Sequence, residues 1–425
     1  MVLAVKRFLI TVVALLLSAT LAGCDRIAGA ELAEPVVGVT HTQGSLDDYP
    51  PEQTADATAA LGARPMAQNQ YLMGWGVGNP EPSPGVFDWS SLDQRMQLID
   101  TTHGVPVLTL AGAPDWMKGG SPGTTDWTKL DSAPTRAHYR DFAALAAAAA
   151  ARYPQVRDFQ VWSELKGLYD DTANRWDYQD YTDLYNAVYD AVKKVRPNAR
   201  IGGPYVVLDT WSAAGSPAPS DLSGPWGVVD QRALDVIDYW NAHKHGADFL
   251  ALDGSSGTRD AGLTTDPFRA TEMFYTVTSW LRARTGLPVW WSEFYPTQPA
   301  GAAWPADSPQ LAALAVDAVA QALRGGASRL LLWQPQESSD VPSAALWTTP
   351  TGGRNAALLP LAVPWQWLAA NVDANTAFSY SASGAVLEII GTREVLTVNL
   401  TATGQTPPGQ TDPLPPYGIR VNARS

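Results

Sequence analysis

From Pro35 onward, short apolar runs bounded by polar or proline-containing turns alternate with stretches whose apolar positions fall at helical spacing. The runs predict eight strands. They are Pro35 to His41 (PVVGVTH), Pro65 to Met73, Val105 to Leu110, Val156 to Trp162, Arg200 to Gly203, Ala247 to Leu252, Pro288 to Trp291 and Arg329 to Trp333. Helices are predicted over Pro51 to Leu61, Ser90 to Thr102, Arg136 to Arg152 and Tyr178 to Arg196, the last carrying Tyr181, Leu184, Tyr185, Val188 and Val192 on one face. Eight strands alternating with helices over roughly 330 residues predict an α/β fold, a (β/α)8 TIM barrel spanning 36–370. The alternative is a doubly wound sheet, against which no GxGxxG follows the first strand. Past Trp367 the period shortens to two, over Phe378 to Leu400 and again from Tyr417 to Val421. A small C-terminal β appendage is therefore expected over 371–425. Two long connections, Tyr205 to Val229 and Gln334 to Asn355, are placed to wall a cleft.

The N-terminus adds a compartment. Lys6 and Arg7 precede the apolar stretch Phe8 to Leu21, which is too short for a membrane span. It ends in Leu21-Ala22-Gly23-Cys24, which resembles the cleavage box of bacterial lipoproteins. The expectation is a signal peptide over 1–23, lipidation at Cys24, a tether over 24–35, and an extracytoplasmic protein attached to the membrane only by its lipid anchor. An ordinary secretory signal with an incidental Cys24 is the alternative. Cys24 is the one cysteine in the chain, which excludes an intrachain disulfide.

Composition narrows the partner class. A net charge of −13 repels phosphate backbones, so nucleic acid is not expected as a partner. The 17 tryptophans exceed what a core of this size requires, and flat aromatic faces in a groove suit sugars. For any single tryptophan, a place in the core is the alternative.

Glutamate is scarce, which makes its positions informative. Between Pro35 and Asn371 it occurs at Glu52, Glu81, Glu164, Glu272, Glu293 and Glu337. Glu52 and Glu272 fall on predicted helices, Glu81 in a proline-rich turn and Glu337 in a loop. Glu164 and Glu293 alone directly follow β-runs that carry tryptophan, in VWSE and VWWSE. On a barrel, strands four and seven would bring both to the C-terminal rim, where catalytic groups of this fold reside. Paired carboxylates there suit glycoside hydrolysis by retention, one acting as acid/base and one as nucleophile about 5–5.5 Å apart. Trp162, Trp290, Trp291 and Phe294 are expected to supply apolar walls around them.

In the order of these segments the chain resembles glycoside hydrolase clan A, and within it family 39, the β-xylosidase and α-L-iduronidase family. The resemblance covers about Val36 to Trp367. It rests on PSPGVFDWSSLD (Pro82 to Asp93), GAPDWM (Gly112 to Met117), Tyr181 to Pro204, and Trp333 at the end of strand eight. It implies that Glu164 is the acid/base and Glu293 the nucleophile, and that the substrate is an oligo- or polysaccharide, with a β-xyloside the leading expectation. No metal or organic cofactor is implied. Trp116, Trp162, Trp291 and Trp333 become candidates to shape the cleft, with Asp115, Tyr205 and Tyr295 as further contacts. His41, at the end of strand one, is either a sugar contact or a buried, satisfied histidine.

The chain also departs from the family pattern. Ser163 stands where the clan has Asn before the acid/base, and Leu165-Lys166 replaces Pro-Asn after it. Lys166 is either a solvated rim charge or a contact to an anionic or unusual glycone. The strand-six Tyr that bonds the nucleophile is missing from LALDGSSG, leaving Tyr205 or Tyr295 to substitute. Asp253 there is either a substrate contact or a turn cap. A carbohydrate-binding barrel without catalysis, and a transglycosylase using the same two glutamates, are the rival functions.

Overall fold

The computed structural model describes residues 34–208, 210–260, 266–297, 304–338, 344–373 and 375–424. Cys24 and the expected signal peptide lie outside the described residues. Among those described, no helix is long and apolar enough to cross a membrane.

Eight parallel strands close into a barrel: β1 (Val37–Thr40), β2 (Ala67–Tyr71), β3 (Val105–Leu110), β4 (Asp158–Val161), β5 (Arg200–Val207), β6 (Phe249–Ser255), β7 (Val289–Tyr295) and β8 (Ala327–Trp333). Each pairs with its sequence neighbours, and β8 closes on β1 through Val37 opposite Leu330. Among the described residues eight principal helices surround them: α1 (Pro51–Gly62), α2 (Ser90–Thr101), α3 (Tyr139–Arg152), α4 (Tyr178–Val195), α5 (Gln231–His243), α6 (Glu272–Thr285), α7 (Pro309–Arg324) and α8 (Ala362–Asn371). The protein is thus a (β/α)8 barrel. In α4 the Asp177 carboxylate caps the Asp180 N–H at 3.0 Å, and Tyr181, Leu184, Tyr185, Val188 and Val192 are all buried, as their spacing predicts.

Strands β5, β6 and β7 run past their predicted ends by several residues. Gly203, Asp253 and Ser292-Glu293 read as stops in sequence, but a strand with parallel partners on both sides has its backbone hydrogen bonds satisfied whatever its side chains. Those added residues carry the site.

The lumen is filled in layers. At the N-terminal end Asp158 bridges Arg200, at 2.6 Å, and Arg329, at 2.7 Å; Trp290 lies there between Phe249, stacked at 3.7 Å, and the Arg329 guanidinium, at 4.0 Å. Above it comes a polar layer. The Asn69 amide donates to Thr40 at 3.3 Å, Thr109 donates to Asn69 at 2.9 Å, Gln160 donates to Thr109 at 3.0 Å, and the Ser292 hydroxyl donates to Gln160. The C-terminal rim of the barrel lies over this layer.

A four-stranded antiparallel sheet follows the barrel: β9 (Ala377–Tyr380), β10 (Val386–Ile390), β11 (Glu394–Asn399) and β12 (Ile419–Ala423). It packs on α7 and α8, and residues 35–425 form one compact unit. Tyr380 donates to the buried Asp317 of α7 at 2.7 Å, and Trp367 of α8 donates to Glu394 at 2.8 Å. Covered by barrel on one side and sheet on the other, α7 is buried around most of its circumference from Leu311 to Ala322.

Candidate active site

Two irregularities aim the central residues. Along β7 side chains alternate, Trp290 inward and Trp291 outward, until the register against β6 slips: Leu252 faces Trp291, but Asp253 faces Glu293. Ser292 is the extra residue of a bulge, so Ser292 and Glu293 both point into the barrel. A second bulge on β5 does the same for Tyr205. Ala251 faces Pro204 and Leu252 faces Val206, and Tyr205 takes a positive φ of 54° between them.

Glu293 is 1 % exposed and held by three phenols. Its Oε1 accepts from Tyr71 at 2.7 Å and Tyr205 at 2.8 Å, and its Oε2 accepts from Tyr295 at 2.7 Å. Burial, followed by the Glu164 charge, pushes its pKa up to about 7, and the three hydrogen bonds oppose the rise. Burial and the Glu293 charge likewise hold the three phenols well above the ordinary tyrosine value, so each stays a donor. Both tyrosines expected to replace the missing strand-six Tyr meet Glu293. Tyr71 is a third that the sequence reading did not single out. It lay inside a predicted strand, at the inward parity shared with Asn69, and nothing in the sequence placed that position at the rim.

Glu164 sits three residues past β4 in a loop of unusual backbone. Trp162, Glu164 and Leu165 have φ of 65°, 54° and 51°, a region disfavoured for L-residues. Several bonds hold the loop there. The Glu164 N–H donates to the Tyr205 carbonyl at 2.8 Å, and the Trp162 indole donates to the Lys166 carbonyl at 2.9 Å. Gly167 (φ 74°) abuts the next loop, where a β-carbon would fall 2.4 Å from the Ala133 nitrogen. The Glu164 side chain is 22 % exposed and its Oε1 lies 2.9 Å from the Lys166 ammonium. Lys166 in turn is 3.7 Å from Asp131 and 4.8 Å above the Trp75 ring, itself stacked on Tyr71 at 4.2 Å.

One carboxylate oxygen each from Glu164, Asp253 and Glu293 lies within 4.8 Å of the other two. Among the described residues this is the one group of such side chains close enough to share a metal ion. The donors are largely engaged, however: both Glu293 oxygens accept from tyrosine, and Glu164 is paired with Lys166. The arrangement suits two carboxylates acting on an organic substrate between them. Trp333, in ring contact with Tyr71 and Tyr295, forms the floor beside Glu293.

Other expected site residues have different work. Trp162 is 1 % exposed and packs edge-on against Phe142 of α3, behind the loop it supports. Trp291 is fully buried against α6, donating to Thr278 at 2.9 Å, and Phe294 packs on Phe274 of the same helix. Trp290 lies below the site in the lumen. None of these walls the cleft, because a parallel barrel buries both faces of its strands and the outward tryptophans go to the helix layer. Trp116 donates to the Glu81 carbonyl at 2.9 Å, and Asp115 accepts from the Asp126 N–H at 2.6 Å, so both brace loops. His41 is fully buried between Gln68, at 3.0 Å, and Ser45, at 3.1 Å, and burial lowers its pKa to about 4: it is a satisfied structural histidine. Ser163 is buried with no hydrogen-bond partner for its hydroxyl.

No profile of a known protein family matches the chain, and no curated protein matches it by sequence. Solved structures do. A monomeric β-xylosidase from Caulobacter crescentus CB15 superposes with a TM-score of 0.57 at 19% identity, over 89% of this chain and 77% of that one. A family 39 enzyme from Xanthomonas axonopodis pv. citri gives 0.55 at 18% identity, over 86% and 72%. A family 39 glycoside hydrolase from Bacteroides cellulosilyticus WH2 gives 0.55 at 16% identity, over 92% and 79%. At these identities the likeness is one of architecture: the chain has the fold of the family 39, clan A glycoside hydrolases.

Proposed function

We propose that the protein is a retaining glycoside hydrolase in which Glu164 is the general acid/base and Glu293 the nucleophile. The observation that carries this is their closeness: an oxygen of each lies within 4.8 Å of the other, on the side of the roughly 5–5.5 Å of retaining pairs and short of the roughly 6.5–9.5 Å at which inverting pairs hold a water. Glu164 gives its proton to the leaving oxygen as the bond to the anomeric carbon breaks, while Glu293 bonds to that carbon from the other face. Water then loses a proton to Glu164, its oxygen bonds to the same carbon, and the ester to Glu293 breaks. The three phenols stabilise the Glu293 anion each time it leaves. The glycone sits over Trp333, and the β-xylosidase likeness makes a β-xyloside the leading substrate. Lipidation at Cys24 and an extracytoplasmic site of action complete the proposal, supported by the basic, apolar and Leu-Ala-Gly-Cys pattern of the N-terminus.

The test is kinetic. Glu293→Gln abolishes turnover and retains binding; Glu164→Ala slows alkyl glycosides far more than activated aryl ones. Equal losses on both substrate types count against Glu164 as the acid. Sugar binding without hydrolysis by the wild type returns the protein to a carbohydrate-binding barrel. Transfer to an added sugar acceptor as the main product makes it a transglycosylase.

A further inference from the structure

Two-carboxylate chemistry does not by itself call for Lys166. Its ammonium lies 2.9 Å from Glu164 Oε1 and 3.7 Å from Asp131, over the Trp75 ring. Burial works against a charge there, but Glu164, Asp131 and Glu293 outweigh it and hold Lys166 above the ordinary lysine value, so it remains an ammonium through neutral pH. Facing Glu164 are Lys166, Glu293 and Asp253, with Tyr71, Tyr205 and Tyr295 bound to Glu293; facing Lys166 from the other side are Asp131 and Trp75.

We propose that Lys166 is a positioning residue that acts on the reaction through Glu164: it clamps the carboxylate in place as the base and sets the upper pH boundary of its use as the acid. The proposal rests on the two-glutamate reading above. The catalytic proton leaves Glu164 for the departing oxygen in the first half-reaction and returns to it from water in the second. An ammonium donating to Oε1 favours the deprotonated partner in both, so it opposes the state from which the first transfer starts. The Trp75 ring holds the ammonium beside Glu164, and the Gly167 turn that follows packs too closely on Ala133 to take a side chain of its own.

Lys166→Met keeps a stem of similar length on Trp75, and Lys166→Arg keeps the charge. On alkyl glycosides, which need the acid, the basic limb of kcat/KM moves up by about one pH unit or more in Lys166→Met and stays near the wild type in Lys166→Arg. On dinitrophenyl glycosides, which need no proton, the methionine variant leaves the limb in place. An unmoved limb on alkyl glycosides overturns the proposal, as does an equal shift on both substrates. A second measurement needs no turnover: with 13C-labelled lysine, the Lys166 ammonium titrates at lower pH in Glu164→Gln than in the wild type. Coincident titrations overturn the clamp even in an active enzyme. A separated pair in a protein that cleaves no glycoside keeps the clamp and removes the glycosidase reading.

Discussion

Replacing Glu293 by Gln should change the stability of this protein in a way that depends on pH. The carboxyl is fully buried, and its pKa is raised from the ordinary 4.5 to about 7. Below pH 4.5 it is protonated whether the chain is folded or not, and costs nothing. Between 4.5 and 7 the unfolded chain gives up the proton first, so the folded state loses ground by about 1.4 kcal/mol per pH unit. Above 7 the loss levels off at roughly 3 kcal/mol. Glutamine does not titrate and suffers none of this, while its amide oxygen can accept from Tyr71 and Tyr205. Urea unfolding of both proteins from pH 4 to 8 should therefore show Glu293→Gln gaining roughly 3 kcal/mol on the wild type as pH rises, all within that window. The buried Asp317, raised to about 6 by burial, is common to both proteins and cancels. In a Glu164→Gln background the window should narrow and persist, because burial outranks the Glu164 charge as its cause. A difference independent of pH refutes the assignment of Glu293 as a destabilised buried carboxyl.

Other outcomes follow from the same geometry. On the proposed mechanism Glu293 must be ionised to attack and burial raises its pKa, so the acid limb of kcat/KM should lie above the ordinary carboxylate range; Tyr71→Phe removes one of the donors that oppose burial, so the limb should move up and kcat/KM at neutral pH fall about tenfold to a hundredfold, from a charge-assisted bond of roughly 1.5–3 kcal/mol. An unchanged pH profile for that variant contradicts the role given to the phenol. Gly167→Ala places a β-carbon against the Ala133 nitrogen at positive φ, so it should cost far more in kcat on alkyl glycosides than in melting temperature, read by kinetics and circular dichroism side by side. Wild-type kcat in that variant would show that the loop backbone does not position Glu164.

Much of the architecture was legible because a parallel barrel writes its strands as apolar runs, and Glu164 and Glu293 stood out because glutamate was scarce and both followed such runs. The tryptophans misled for the same reason. On strands buried on both faces, an apolar ring reports burial and not direction, so Trp162 and Trp291 turned to the helices while Trp290 filled the lumen. The bulges at Tyr205 and Ser292 were invisible, since nothing in VWWSEFY or GGPYVV marks a one-residue slip. Tyr71 and the Lys166–Glu164 pair depend on which strand ends become neighbours after closure, information carried by the barrel and by no single segment.

The hydrogen bond from Ser292 to Gln160 crosses the lumen directly beneath the rim and joins the strand that carries Glu293 to the strand that leads to Glu164. The Glu293 strand and the base of the Glu164 loop are thereby fixed to one another through the barrel wall, and the loop above adds the last adjustment. The three short strands between Thr210 and Asp230 are then free to vary in what they admit. On the proposed mechanism, the sugar accepted can drift over evolutionary time while the stereochemical course of its cleavage is inherited unchanged.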